Sequence, residues 1–200
     1  MQARLRPAVL PALLLAALLA PSAAPARTVE GEELLFAPPA GWSVAARQST
    51  PQLRVAVMLP AGQTLSAWTE MIAVQIHPGL RDDPAAFVGR IQAEFARRCA
   101  TAVSHPPLVE RVKDYPTAVA LLECRGRADA PEAEAATMVK AVQGRDHLFV
   151  VQRSWQGRAE GPGNPARDEA AGAAWRGFMQ SVEVCDGRRP ELGCAGAALR

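Results

Sequence analysis

Histidine, cysteine, serine and carboxylate side chains are the groups in this chain that could do chemistry, and their spacing limits what that chemistry can be. The histidines are His77, His105 and His147. Zinc needs three or four converging ligands, and no pair here has the HxH or HExxH spacing that puts two on one face. His77-Pro78 and His105-Pro106 place two of them in loops or at strand ends, so no metal site is expected. Ser43, Ser49, Ser66, Ser104, Ser154 and Ser181 lack the GxSxG context that exposes a nucleophile. Asp82-Asp83 reads as a helix cap and Glu132 with Glu134 as loop, so no catalytic carboxylate pair stands out. The loop Gly157 to Pro165 has no Walker-type spacing, and no cofactor is expected.

Cys99, Cys124, Cys185 and Cys194 make an even count. In an exported chain that reads first as two disulfides rather than as a catalytic thiolate near His105. A four-thiolate metal site usually shows close CxxC pairs, and none is present. Among three possible pairings, Cys99 with Cys124 and Cys185 with Cys194 close the shortest loops. Chain entropy assigns those loops roughly 3.5 and 2.7 kcal/mol, less any strain.

Glu70 is the carboxylate that stands apart. Gly62 to Ile76 reads as the longest strand, with Trp68, Glu70, Ile72, Val74 and Ile76 on one face. An ionised carboxylate among such neighbours must find a partner or shift its pKa. The functional reading is a polar group lining a pocket, with Arg54 or Arg153 as counter-charge and Trp68 or Trp155 as a stacking wall. The competing reading is a paired glutamate that locks strand register.

The elements that would position these groups follow from pattern. Ser43 to Gln48 reads as an edge strand and Leu53 to Leu59 alternates cleanly. Asp82-Asp83-Pro84 starts a helix over about 84–99, whose stripe is Phe87, Val88, Ile91, Phe95 and Cys99. Leu108 to Asp114, Thr117 to Arg125, Ala135 to Gln143 and His147 to Trp155 are strand-like, and Gly144 to Asp146 joins the last two as a hairpin. Asn164-Pro165 opens a second helix over about 165–182, with Ala171, Trp175, Phe178, Met179 and Val182 buried. The order predicts an α+β fold: a mostly antiparallel sheet of about six to eight strands packed by two main helices. An antiparallel barrel plugged by helices is the alternative.

Arg4 and Arg6 precede an alanine and leucine run from Val9 to Ala20, and Ala24-Pro25-Ala26 has the spacing a signal peptidase reads. The expected organisation is a signal peptide at 1–26, one domain at 27–184 and a disulfide-closed tail at 185–200. The apolar run is short for a membrane span, so no stable insertion is expected after cleavage. Cleavage at 26 would remove two of 22 basic residues and none of 20 acidic ones, leaving a neutral chain. Neutrality argues against a nucleic-acid footprint, which depends on clustered positive charge. The expected location is the bacterial periplasm or the exterior.

The lead-in Pro38, Pro39, Gly41 and Trp42, the consecutive hairpin strands, the Trp-bearing strand, and the helix, further strands and final helix together resemble the PsbP/Mog1/DcrB-type α/β/α sandwich over about Leu34 to Val184. That resemblance implies an accessory, assembly or binding role rather than an enzyme. The leading expectation is an accessory protein that binds another protein or an envelope component through a sheet face or the Gly157 to Pro165 loop. The alternatives are a small-ligand module with a pocket near Trp68, Glu70 and Arg153, and an enzyme of unknown reaction. A formed cavity with convergent polar groups separates the ligand module from the others.

Overall fold

Alternating apolar residues and short turns build one large sheet in this computed structural model, which describes residues 31–127, 130–159, 162–189, 191 and 194. Residues 1–26, where a signal peptide is expected, lie outside them. The strands are β1 (Glu32–Leu35), β2 (Trp42–Ser49), β3 (Arg54–Pro60), β4 (Glu70–Pro78), β5 (Cys99–Ser104), β6 (Leu108–Val112), β7 (Tyr115–Arg127), β8 (Ala130–Gln143), β9 (His147–Arg158) and β10 (Glu183–Asp186). The helices are α1 (Pro84–Ala96), between β4 and β5, and α2 (Glu169–Ser181), between β9 and β10. Eight strands form the main sheet in the order β2-β3-β4-β9-β8-β7-β5, with β6 also on β7. Every pairing in it is antiparallel. The expected α+β class with two helices on an antiparallel sheet is what the chain forms.

Three elements near the site differ from the sequence reading, and β10, a strand after the second helix that includes Cys185 and Asp186, is a further one it does not predict. The long strand begins at Glu70 rather than Gly62, because residues 62–69 turn back on themselves through a Thr64 to Ala67 bridge. Gln63 enforces the turn by accepting from the Thr69 amide at 2.7 Å through Oε1. The first helix stops at Ala96, and Cys99 opens β5, an unpredicted strand that pairs with β7. Cys99 repeats the helical spacing of Phe95, which disguised the change of state. The second helix starts at Glu169 with Asp168 as its cap, accepting from the Ala171 amide at 3.0 Å. Asn164 instead caps a preceding turn through the Ala166 amide.

Two cores lie on opposite faces of the sheet. On the α2 face, Trp175, Phe178, Met179 and Val182 pack on Ile72, Val74, Met138, Phe149, Val151 and Trp155. On the α1 face, Val88 packs on Ala118, Leu122, Val139, Leu148 and Val150. Asp83 caps α1 by accepting from the Ala86 amide at 2.8 Å, with Pro84 at the first helical position as expected. The Cys99–Cys124 bond ties the exit of α1 to β7, and Cys185–Cys194 closes the loop beyond β10, both in the expected pairing.

Two buried charges seat α2 and the small β1–β10 sheet. Lys140 of β8, 3% exposed, donates to the carbonyls of Met179 at 2.9 Å and Val182 at 2.8 Å, satisfying the helix C-terminus. Burial pushes its amine below the ordinary lysine value. Glu32 of β1 accepts the amides of Arg145 at 2.5 Å and Asp146 at 2.8 Å, holding the β8–β9 turn against β1. Gly144 makes room for it, since a Cβ there would stand 2.4 Å from Glu32 Oε2.

Asp186, 1% exposed on β10, accepts from Arg188 Nε at 2.9 Å. That hydrogen bond holds its carboxyl below the usual carboxylate range. A carboxyl depressed in the fold stabilises above its unfolded pKa of about 4, and the stabilisation is lost as pH falls through the lowered value. Thermal unfolding of Asp186→Asn is therefore expected to depend less on pH below about pH 4 than that of the parent. Parallel acid limbs for the two proteins would contradict this account of Asp186.

Candidate functional site

The Glu70 region resolves into two different environments on the two faces of β4 and β9. Register sets them: Glu70 pairs with Trp155, Met71 with Ser154, Ile72 with Arg153 and Ala73 with Gln152. Residues of even number on β4 and odd number on β9 meet α2; the others face the α1 side.

On the α2 face, Arg153 lies 8% exposed and its Nη2 donates to Glu70 Oε2 at 2.9 Å. Its guanidinium stands over three rings, 5.6 Å from the centroid of Trp42, 5.2 Å from Trp175 and 5.7 Å from Phe178. A planar, weakly hydrated guanidinium suits such a box better than a compact, strongly hydrated lysine ammonium. Trp155, 2% exposed, donates through Nε1 to the Pro162 carbonyl at 3.1 Å. Gly157 is needed two residues later, because a Cβ there would meet the indole at 2.7 Å. Thus Arg153, Glu70 and the Trp155 indole engage one another's surroundings from within a packed layer. Arg54, the other expected counter-charge, sits on β3 opposite Ile76 and borders a separate apolar groove with Val44, Met58 and Val74.

On the α1 face the same strands form the floor of an open cleft of about 660 Å³. Gln152, Ser154 and Gln156 of β9 follow one another on that face, with Thr137 of β8 beside them. Thr137 and Ser154 share a hydroxyl hydrogen bond of 3.0 Å. Phe95, Arg97 and Arg98 at the end of α1 form one wall, the Cys99–Cys124 bridge and Arg127 another. Trp68 lines it from the turn before β4, held there because Gln156 Nε2 donates to the Trp68 carbonyl at 2.9 Å. Gln156 also donates its amide to the Thr69 carbonyl at 2.9 Å. A second hollow continues along the open flank of α1 past Gln152 to Gln75 and Phe87.

Of the five residues proposed from the sequence, the fold therefore brings Glu70, Arg153 and Trp155 into one packed layer and puts Trp68 in the cleft on the other side. Trp155 borders that cleft by position while committing its indole to the α2 core. Gln152, Ser154, Gln156, Thr137 and Arg127 were not singled out. The signal for them is a change along one face of β9, where Leu148 and Val150 give way to Gln152, Ser154 and Gln156. The histidines do not converge: His77 bonds Gln75 within β4 and His147 opens β9. Among the described residues no group of three potential ligands is placed to hold a metal ion.

No protein-family model matches the sequence, and no curated protein matches it. The fold does match a solved structure. The solution structure of cyanobacterial PsbP (CyanoP) from Synechocystis sp. PCC 6803 superimposes with a TM-score of 0.50 at 15% identity, over 78% of this chain and 94% of that chain. The chain thus has a PsbP-like fold, as the order of its elements and the Pro-Gly-Trp lead-in implied.

Glu70 is expected to act through stability. Glu70→Gln leaves the buried guanidinium without its counter-charge and should lower unfolding free energy by about 2 kcal/mol in urea titration. Arg153→Lys should cost at least as much, because the ammonium cannot span the three rings. A neutral Glu70→Gln would remove the ion pair from the account of the α2 layer.

Proposed function

We propose that this is an exported accessory protein of the bacterial envelope that works by binding, and that the α1-face cleft is where it binds. The observation that carries the reading is the cleft itself. Central strands of a sheet with helices on both faces are ordinarily apolar on both sides. Here β8 and β9 turn polar where α1 stops, and the polar stretch is the floor of a formed hollow.

Size and lining fit a small molecule or a projecting group of a partner. Pockets that take such ligands span roughly 300 to 1,000 Å³ and combine apolar walls with a few polar groups that fix orientation. The cleft supplies Trp68 and Phe95 as walls and Thr137, Gln152 and Ser154 as orienting groups. Its frame is rigid: the disulfide at Cys99 and Cys124 joins helix end to sheet, and Gln156 pins the Trp68 turn. This is the geometry of a preorganised binder.

Placement outside the cytoplasm is supported by the bonded cysteine pairs, which persist in oxidising compartments, and by the signal-peptide pattern of residues 1–26. The accessory role is the one the PsbP-like resemblance implies. The ligand is an envelope component or a small molecule that the protein presents to a partner.

Ser154→Trp fills the floor without touching either core. Native mass spectrometry of protein purified gently from its own periplasm is expected to show an added mass of roughly a few hundred daltons. The Ser154→Trp protein should keep its thermal stability and lose that mass. An added mass retained in full by the variant would place binding elsewhere on the molecule.

A further inference from the structure

The proposal concerns the chemical class that the α1-face cleft accepts, and it rests on reading that cleft as the binding site. We propose that the ligand is a small organic anion with a flat apolar body, its charge at the Arg97–Arg98 wall and its body between Phe95 and Trp68.

Charge balance is the first support. Arg97, Arg98 and Arg127 line the cleft, and among the described residues no carboxylate lines it. Glu94, one turn back on α1, accepts from both Arg97 and Arg98, the latter at 2.8 Å. One carboxylate is thereby shared by two guanidiniums, each of which has five N–H donors. The carbonyl end of α1 adds only about half a negative charge. A net positive charge is left at that wall. Arg127 donates to Gln156 Oε1 at 3.2 Å and brings a further guanidinium to the far side. Among the described residues, Glu123 and Glu134 occupy the alternate register positions of β7 and β8, on the α2 side and away from the Arg97–Arg98 wall.

Shape is the second support. Trp68 and Phe95 enter the cleft from different elements, the turn before β4 and the last turn of α1, and the Cys99–Cys124 sulfurs complete an apolar wall. Between them the floor carries the neutral hydrogen-bonding groups of Thr137, Gln152, Ser154 and Gln156 beside Ala135. A cation would be repelled by the rim. A sugar-like neutral molecule would use the floor and gain nothing from the net positive charge of the Arg97–Arg98 wall. An aromatic or similarly planar carboxylate, sulfonate or phosphate uses all three surfaces, and charge-assisted bonds to arginine are the strongest of those available.

The test compares two fluorescent probes on the intact, oxidised protein: 1-anilinonaphthalene-8-sulfonate, and N-phenyl-1-naphthylamine, which has the same rings without the sulfonate. The sulfonate probe is expected to saturate a single site and to bind more tightly than the neutral one. Arg97→Gln with Arg98→Gln should weaken the sulfonate probe about tenfold and change the neutral probe little. Glu94→Gln, which removes the carboxylate the arginines share, should strengthen sulfonate binding and leave the neutral probe unchanged. A loosened fold would raise binding of both probes, so a gain confined to the sulfonate probe reports the charge. Trp68→Ala and Ser154→Trp should weaken both probes. Equal affinity for the two probes, with no response to the arginine or Glu94 changes, would overturn the anionic class; if Ser154→Trp still weakened the neutral probe, the cleft would stand as the binding site. Failure of both probes to bind, or binding indifferent to Ser154→Trp, would overturn the two readings together.

Discussion

The guanidinium of Arg153 is the group on which the arrangement of this molecule turns. It sits on a central strand, under a helix, where an unpaired charge would cost several kcal/mol. Its stability requires Glu70 from the neighbouring strand and rings from β2 and α2 at the same time. No local preference of β9 accounts for an arginine there. The ion pair fixes the relative register of β4 and β9, because a shift of one residue would move Glu70 to the opposite face. It also fixes how α2 lies across the sheet, since Trp175 and Phe178 must both reach the guanidinium. Lys140 extends the same logic one strand over, where a buried amine receives the carbonyl end of α2. The α2 layer is therefore built around buried cations that are answered at close quarters by a carboxylate, backbone carbonyls and aromatic rings.

The opposite face is organised by what is missing from it. Helix α1 spans thirteen residues and packs on Leu148 and Val150 of β9, then ends at Ala96. Beyond that point β9 carries Gln152, Ser154 and Gln156 on the side that α1 would otherwise cover. If these positions had stayed apolar, the exposed sheet would be a surface prone to association. The polar run keeps it soluble and at the same time provides oriented donors and acceptors. A disulfide stands where the helix gives out, so the boundary of the cleft does not depend on α1 packing alone.

Much of the fold was legible because its signals are local. Asp83-Pro84, the alternation of β3 and the Gly144 to Asp146 turn each specify their element from a few residues. Cysteine pairing was legible from loop length. The failures share a cause, which is that the deciding contact lies far away in sequence. Cys99 leaves the helix because Cys124 and β7 are there to receive it. The start of β4 is set by Gln63 turning residues 62–69 aside, and Asp168 caps α2 because Asn164 is used in the turn before it. The candidate site divides in the same way. Glu70 and its partner Arg153 were recognisable as an unusual pair, since a charge in an apolar strand demands an answer. That the answer is an aromatic box depends on Trp42 of β2 and on Trp175 and Phe178 of α2 arriving from two distant segments. The cleft was present in the sequence only as a polar stretch along one face of β9, and its meaning required knowing where α1 ends.

This separation of faces explains why one sheet can be both rigid and receptive. Preorganisation lowers the entropy cost of binding only if the groups that meet the ligand are already held. Here they are held from behind: each cleft residue on β9 alternates with a residue committed to the α2 layer, so Ser154 lies between Arg153 and Trp155. The ion pair and the Trp155 to Pro162 hydrogen bond thus set the backbone from which the polar floor projects. A substitution in the α2 layer would reach the cleft through that shared strand, whereas a substitution on the floor leaves the α2 layer intact. In the proposed binding role, the asymmetry gives natural variation a surface to work on, since the floor and the arginine wall can change without reopening the question of how the chain folds.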